Sequence, residues 1–379
     1  MKVLVTGGAG FVGSHTVDLL LEEGHEVTVL DNLDPQVHGQ IDGYPPNLSR
    51  YATEDRLRFI RGDVSDRATL FEALAGVEGV LHLAASVGIG QSMYQPFHYC
   101  SVNVGGTAQL LDILGSERTS IRKIVVASSM SIYGEGAYSC GACGKVYPIS
   151  RDTRDLVSGN WEVRCPSCGR FVRAISTKED KPLAPTSIYA ITKQTQEEIV
   201  LCFGEAYKLP VVALRYFNIY GSRQSLSNPY TGVVAIFLSR LLNRKPPVIF
   251  EDGMQSRDFV HVRDVARANV LALTSSAANY RALNVGSGAS TTVLEVFRRL
   301  SRILNVSIEP TFARRYRAGD IRHCFSDSSL AASLLGWKPQ VTLDEGLAEL
   351  VEWSLKSGPD ARDLVDVAYS ELERKNLLQ

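Results

Sequence analysis

The sequence predicts an α/β fold, a doubly wound parallel sheet with a smaller C-terminal lobe. The first observation is an alternation. Short apolar runs at Lys2–Thr6, Glu26–Leu30, Leu57–Ile60, Gly79–Leu83, Lys123–Ala127 and Val211–Leu214 are separated by helical patterns. Strands apolar on both faces and spaced by helices belong to parallel sheets covered on both sides. The second is a glycine-rich turn, Thr6-Gly-Gly-Ala-Gly-Phe-Val-Gly13, between the first run and the first helical pattern. The third is the loss of this rhythm beyond Arg215, where the pattern becomes mixed as in a substrate-capping lobe.

The elements follow in order. A first crossover helix over Phe11–Glu23 brings Val12, Val17, Leu20 and Leu21 near one another and stops at Gly24, a good C-cap residue. Asn32–Asp55 is long and rich in Gly, Pro and Asn, and a loop of that kind is expected to be a functional flap. Residues 1–137 are expected to form the nucleotide-binding domain, continued by about 174–218 and 256–285. The segment 138–173 interrupts it, and 219–255 with 286–379 form the lobe. In the tail from about Gly358, Leu364, Val365, Ala368 and Leu372 stand at helical spacing and predict a surface helix packed on the body.

Composition narrows the function. With 379 residues, 45% of them apolar, the chain can bury a large core. A formal net charge of −1 removes any global attraction to nucleic acid or to an anionic membrane. No apolar run approaches the length of a membrane span. The glycine motif begins at Gly7 and leaves no room for a leader before it. Four of the seven Cys form two Cys-x-x-Cys pairs, while Cys100, Cys202 and Cys324 are scattered. That usage points to metal ligation, reduced thiols and a cytoplasmic location.

The glycine turn sits in the context of a Rossmann-type dinucleotide site. Gly7 permits the tight turn, Gly10 lets backbone approach a pyrophosphate beside Phe11 and Val12, and Gly13 lets helix pack close to strand. Asp31 closes the second strand 18 positions after Gly13, where a carboxylate accepts from ribose hydroxyls. It favours NAD over NADP, because residues 32–37 offer no Arg or Lys for a 2′-phosphate. Asn32, Asp63, Val64, Leu83, Ala84 and Ala85, at the ends of successive strands, would flank adenine and pyrophosphate.

Two further patterns carry chemistry. Tyr189-Ala-Ile-Thr-Lys193 places a phenol and an ammonium on one helical face, where they can act on one proton, with Ser129 upstream as a hydrogen-bonding partner. Between them stand Cys140-Gly-Ala-Cys143 and, 21 residues later, Cys165-Pro-Ser-Cys168, each followed by Gly. This is the spacing of a zinc ribbon, in which four thiolates close a tetrahedral structural site and leave no position for catalysis. Residues 140–174 hold Lys145, Arg151, Arg154, Arg164, Arg170 and Arg173 against Asp152, Asp155 and Glu162, a +3 patch that could face an anionic partner or simply border the pocket.

Gly7-x-x-Gly10-x-x-Gly13, Asn103-Val-Gly-Gly-Thr107, Ser128-Ser129, Tyr189-x-x-x-Lys193, Arg215-Tyr-Phe-Asn218 and Arg257-Asp-Phe-Val-His-Val-Arg-Asp264 closely resemble the extended short-chain dehydrogenase/reductase family of nucleotide-sugar epimerases and dehydratases. The resemblance runs from residue 1 to about 355, apart from the Cys-rich insert. It implies a catalytic triad of Ser129, Tyr189 and Lys193, with Asn103 and Phe217 at the cofactor. It implies sugar contacts from Ser92, Ser131 and Asn218, and a grip on the diphosphate by Arg257 and Arg317. Guanidinium forks suit phosphate oxygens; ion pairing with Asp258 and Asp320 is the other reading of these arginines. Relatives usually dimerise through helices matching Pro96–Ser116 and Ser187–Tyr207, where Cys100, Leu110, Leu111, Ile199 and Phe203 could supply apolar contacts.

The same resemblance selects the reaction. A sugar C4 hydroxyl donates hydride only once its proton is taken, the task of Tyr189, while NAD accepts the hydride. Family members that eliminate water carry an Asp-Glu pair where this chain has Met130 and Ser131, and decarboxylating relatives usually carry Glu at Ser131. A 4-epimerase remains. Asp31–His38, Gly90–Tyr94, Ser129–Gly134 and the Cys insert look most like the dTDP-L-rhamnose 4-epimerase group. UDP-glucose or UDP-glucuronate 4-epimerisation stands close behind, with Val87 where UDP-galactose 4-epimerases often have a basic residue. An NAD-binding regulatory protein with the ribbon as interaction module is the reading from a different class.

Overall fold

A computed structural model of the protein describes residues 1–317, 319–357 and 363–378. Its centre is a seven-stranded sheet in the order Arg281–Val285, Val211–Tyr216, Lys123–Ser129, Gly79–His82, Lys2–Thr6, Glu26–Asp31, Leu57–Arg61. Every pairing in it is parallel. The sequence alternation located six of these strands; Arg281–Val285 is the seventh, at the edge nearest the lobe. The order in which strands are added reverses between Lys2–Thr6 and Gly79–His82, which opens a crevice beyond their carboxyl ends.

Strand periodicity divides the core in two. Val3 and Val5 face a cluster with Val17, Leu20, Val265 and Ala268, under the helices Phe11–Glu22 and Val262–Thr274. Leu4 faces the other way, into a cluster with Leu110, Ile113, Val126 and Val200. That second layer is covered by the helices Gly106–Ser116 and Ile188–Tyr207. Lys123–Ser129 and Val211–Tyr216 are buried along their whole length, as central strands covered on both faces must be.

The lobe has its own core of Phe237, Phe297, Leu300, Leu347 and Leu350. The insert folds as a three-stranded antiparallel sheet of Gly144–Val146, Ala137–Cys140 and Arg173–Ile175. Tyr138, Cys140, Val146, Val163 and Cys165 form its small core.

Three expectations need refinement in detail. The stretch after Asp31 is more than an irregular loop: Leu33 and Leu48 are buried, and a short helix, Pro35–His38, and a 3₁₀ turn, Pro46–Tyr51, organise it. Asn47 Nδ2 donates to the carbonyl of Ala9 at 2.9 Å, which ties the stretch to the glycine turn. Leu110 and Leu111 pack into their own sheet layer, so an apolar stripe read as a contact face is half core. The tail forms the helix Val365–Arg374 with Val365, Ala368 and Leu372 buried, but Leu364 is exposed, and residues 358–362 lie outside the described residues.

Candidate active site

The glycine turn is built as its residue types require. Gly7 has φ +70°, and a Cβ there would stand 2.9 Å from the backbone of Ala84. A Cβ on Gly13 would stand 2.1 Å from the carbonyl oxygen of Gly7, so the helix reaches the strand only because that position is bare. Gly10 is the N-cap of the helix Phe11–Glu22 and gives it no side-chain cap. The first-turn N–H groups at Phe11, Val12 and Gly13 therefore remain for an anion.

Asp31 Oδ2 accepts from Ala9 N at 3.0 Å and Oδ1 from Leu33 N at 2.9 Å, fixing a buried carboxylate at the strand end. His38 Nε2 lies 3.6 Å from Asp31, a neighbour brought there by the short helix that follows the strand. Asn32 Nδ2 donates to Asp63 Oδ2 at 2.9 Å. Burial pushes Asp63 up, but hydrogen bonds from Ser65 and Asn32 outweigh it and keep the carboxylate charged. Val64 is buried beside it. Leu83 and Ala84 are tied to Thr6 at 3.1 and 3.2 Å, and Ala85 follows at the mouth of the crevice. These are the features of an NAD site: uncapped N–H groups, bare backbone and a fixed acceptor for the ribose.

Asn103 sits in a π-helical turn, Cys100–Gly105, that carries it inward until it is fully buried. Its amide bridges Ser86 and the Thr192 hydroxyl, joining the fourth strand to the catalytic helix.

Ser129 ends its strand, and its Oγ accepts from the N–H of Ser131 at 3.2 Å and from the Ser131 hydroxyl at 2.9 Å. Ser187 caps the helix Ile188–Tyr207, and Ser92 accepts from Tyr189 N at 3.0 Å while donating to Ile89 O. Ser92 is fully buried, so its hydroxyl holds Tyr189 in place. Burial pushes the Tyr189 phenol above its ordinary value, and a hydrogen bond with Ser129 works the other way. Burial pushes Lys193 down to about 7, opposed by Glu197.

Lys193 Nζ donates to Gln196 Oε1 at 2.5 Å, Gln196 donates to Thr107, and Thr107 contacts His82 Nε2 at 2.9 Å. Burial and the Lys193 charge push His82 down to about 3, so it stays neutral in this relay. Glu197 binds Ser128 and the Arg215 fork, pinning the catalytic helix to two central strands. Sequence reasoning missed Gln196 and Glu197; their only signal was position, three and four residues after Lys193 on one helix.

Phe217 is buried against Met130, Tyr133 and Cys324, and the buried Oδ1 of Asn218 has no hydrogen-bond partner among the described residues. Both arginines face one carboxylate. Arg317 Nη2 lies 2.9 Å and Arg257 Nη2 3.5 Å from Asp320. Burial pushes Asp320 up, but Arg317 and Arg257 outweigh it and keep it ionised, so both guanidiniums face the same carboxylate. Asp258 plays no such part: it accepts from Ser287, Gly288 and Ser326. The tail reaches this place too, with Leu372 and Leu377 lining a small cavity beside Arg317, Asp320 and Gly90.

No carboxylate follows Ser129 until Glu135, which is already bound to the Tyr138 hydroxyl at 2.6 Å and Arg322 N at 2.7 Å. In the insert, the Sγ atoms of Cys140, Cys143, Cys165 and Cys168 lie within 4.8 Å of one another. Arg154 pairs with Asp152 and Arg164 with Asp155, pairs that the +3 balance of this stretch already counts.

The family model described as the NAD dependent epimerase/dehydratase family matches residues 3–150 and 167–286. The chain belongs to this family. A dTDP-L-rhamnose 4-epimerase of Burkholderia thailandensis is 35% identical over 356 residues, 93% of this chain and 94% of that protein. The crystal structure of a UDP-glucose 4-epimerase with UDP-glucose from Thermotoga maritima is 32% identical and superposes with a TM-score of 0.76 over 95% of this chain and 100% of that one. The UDP-glucuronic acid 4-epimerase of Bacillus cereus, in complex with UDP-glucuronic acid and NAD, is 27% identical with a TM-score of 0.75, covering 94% of this chain and 100% of that one. The family model leaves the stretch 151–166 and everything beyond residue 286 of this epimerase/dehydratase chain unmatched. Among the described residues no helix is long and apolar enough to cross a membrane.

Proposed function

We propose that the protein is an NAD-dependent nucleotide-sugar 4-epimerase whose substrate is a dTDP-linked 6-deoxyhexose, dTDP-L-rhamnose. The observation that carries this reading is the buried Ser129–Tyr189–Lys193 site with no free carboxylate beside it among the described residues. Met130 and Ser131 stand where elimination needs an acid and a base, and Glu135 is engaged elsewhere. Bound at the glycine turn, NAD supplies the hydride acceptor and later the donor. Tyr189 takes the C4 hydroxyl proton and returns it to the other epimer, Ser129 donates a hydrogen bond to the same oxygen, and the Lys193 charge favours phenolate over phenol. Asn218 offers its unpaired oxygen to the sugar, while Arg257 and Arg317 offer guanidinium donors to the diphosphate. UDP-glucose or UDP-glucuronate is the second reading, supported by the likeness to UDP-hexose epimerases. A screen of dTDP- and UDP-sugars for C4 inversion by NMR decides between them, and inversion of none would remove the reading.

The four Cys of the insert are proposed to hold one structural zinc, since four Sγ atoms so close together make a thiolate cage without an open position. The protein is further proposed to work as a cytoplasmic homodimer through the helix pair around Pro96–Ser116 and Ile188–Tyr207. With Leu110 and Leu111 turned inward, the face consists of exposed Phe97 and Cys100 with the stacked Phe203–Tyr207 pair. Light scattering at micromolar concentration is expected to give twice the chain mass; a monomer would exclude this interface.

A further inference from the structure

The stretch 151–166, which the family model leaves unmatched, sends two charged side chains out of the ribbon into the substrate lobe. Arg151 is buried. Its Nη2 lies 2.7 Å from Glu251 Oε1 and donates to the carbonyl of Asp320 at 3.2 Å, and its Nε lies 3.7 Å from Glu135. Glu162 accepts from Nε and Nη2 of the fully buried Arg322 at 3.0 and 2.5 Å. Arg322 Nη1 reaches the other oxygen of Glu251 at 2.9 Å. Glu251 is therefore shared between the two guanidiniums, and they hold it at φ +55°, a backbone conformation that costs a non-glycine residue energy.

Burying so many charges is a poor route to stability alone, because desolvation cancels much of the attraction. What the cluster does hold is the segment 320–322. Arg257 donates to the carbonyls of Ile321 and Arg322 at 2.7 and 3.0 Å, and Arg317 donates through Nε to Asp320 at 3.0 Å. Both arginines assigned above to the diphosphate thus take their direction from three consecutive residues. Those residues are gripped from behind by Arg151 and Glu162 from the ribbon stretch, together with Asp252, which accepts from both Nη atoms of Arg322 at 2.7 and 2.9 Å, and Glu135, which accepts from Arg322 N.

We propose that Arg151 and Glu162 are positioning residues which, through Glu251 and Arg322, set the orientation of Arg257 and Arg317, making the ribbon part of the diphosphate grip. The proposal rests on the assignment of those two arginines under the proposed function. Neither Arg151 nor Glu162 touches substrate in this arrangement. Their loss should weaken interactions made equally in the ground and transition states, which raises KM and leaves kcat.

The test compares wild type with Arg151→Met, Arg151→Lys and Glu162→Gln, using UDP and dTDP as binding probes. The kinetic readout is the nucleotide sugar that wild type turns over. Arg151→Met and Glu162→Gln should each weaken binding of UDP and dTDP and raise KM about tenfold, a change of about 1.4 kcal/mol. NAD occupancy and kcat should stay within about a factor of two, and Arg151→Lys should recover part of the loss. Nucleoside diphosphate binding unchanged in both variants would overturn the proposal. So would a parallel fall of kcat and NAD occupancy, which is what a merely structural cluster predicts. Should Arg151→Met not fold, Glu162→Gln decides alone, because the Glu162 side chain is 46% exposed and tolerates the change. Wild type that binds neither UDP nor dTDP would reject the diphosphate assignment itself, whereas wild type that binds them as well as its variants do would reject only the ribbon's part.

Discussion

At the scale of single residues, Tyr189 and Lys193 are opposed in a useful way. Burial discourages charge on both, raising the phenol and pushing the amine down to about 7. A positive cofactor charge at the same place is what then makes phenolate accessible, so activity and cofactor occupancy are linked through Tyr189. Tyr189→Phe should keep the fold and bound NAD but lose about 10² to 10⁴ in rate, measured under saturating sugar nucleotide; wild-type turnover would remove its role as base. Lys193 carries a stability signature as well. Its folded value lies below the unfolded one of 10.5, so the protein binds fewer protons at this site than the unfolded chain between pH 7 and 10.5. Stability from this group is therefore full above 10.5 and lost as pH falls to 7. In cofactor-free protein, Lys193→Met should raise the melting temperature at pH 7, and the gain should shrink towards pH 10; a constant difference would contradict a buried, titrating Lys193. The residue types were legible from sequence because spacing on one helix suffices to pair Tyr189 with Lys193. Glu197 was not, because its partners Ser128 and Arg215 come from two other strands.

At the scale of elements, periodicity identifies faces but not what covers them. The alternation at Lys2–Thr6 divides Val3 and Val5 from Leu4 between the two core layers, as a strand buried on both faces should. The same kind of reasoning misassigned Leu110 and Leu111, since an apolar stripe looks alike whether a sheet or a second subunit lies against it. The π turn at Cys100–Gly105 has no composition signal, and within it Asn103 reaches both Ser86 and Thr192. The ribbon was legible because Cys-x-x-Cys knuckles carry their own geometry. Its ties to the lobe through Arg151 and Glu162 were not, because those charges read as surface. Cys165→Ser should therefore lower nucleotide-sugar affinity more than it lowers NAD occupancy, with zinc content read alongside. Wild-type protein without zinc, or a chelated protein with unchanged KM, would separate the ribbon from the site.

At the scale of the whole molecule, the reversal of strand order in the parallel sheet gathers residues from distant segments at one crevice. Ser129 stands at the end of the central strand, Tyr189 and Lys193 on the helix that follows the insert, and Asn218 just past the next strand. The fold class and the cofactor turn could be read from sequence because each depends on contiguous residues. The sharing of Asp320 by Arg257 and Arg317, and the closing of the tail over Gly90 and Arg317, depend on how the lobe meets the sheet. Sugar identity belongs to that same surface, which is why dTDP-6-deoxyhexose and UDP-hexose stay to be separated by substrate screening. The central claim is that C4 is oxidised and reduced again inside one closed site, by a hydride that never meets solvent. Nucleotide sugar deuterated at C4, incubated with the enzyme in ordinary water and analysed by NMR, tests it directly: the epimer should retain its deuterium at C4, and wash-out of that deuterium into water would contradict the account.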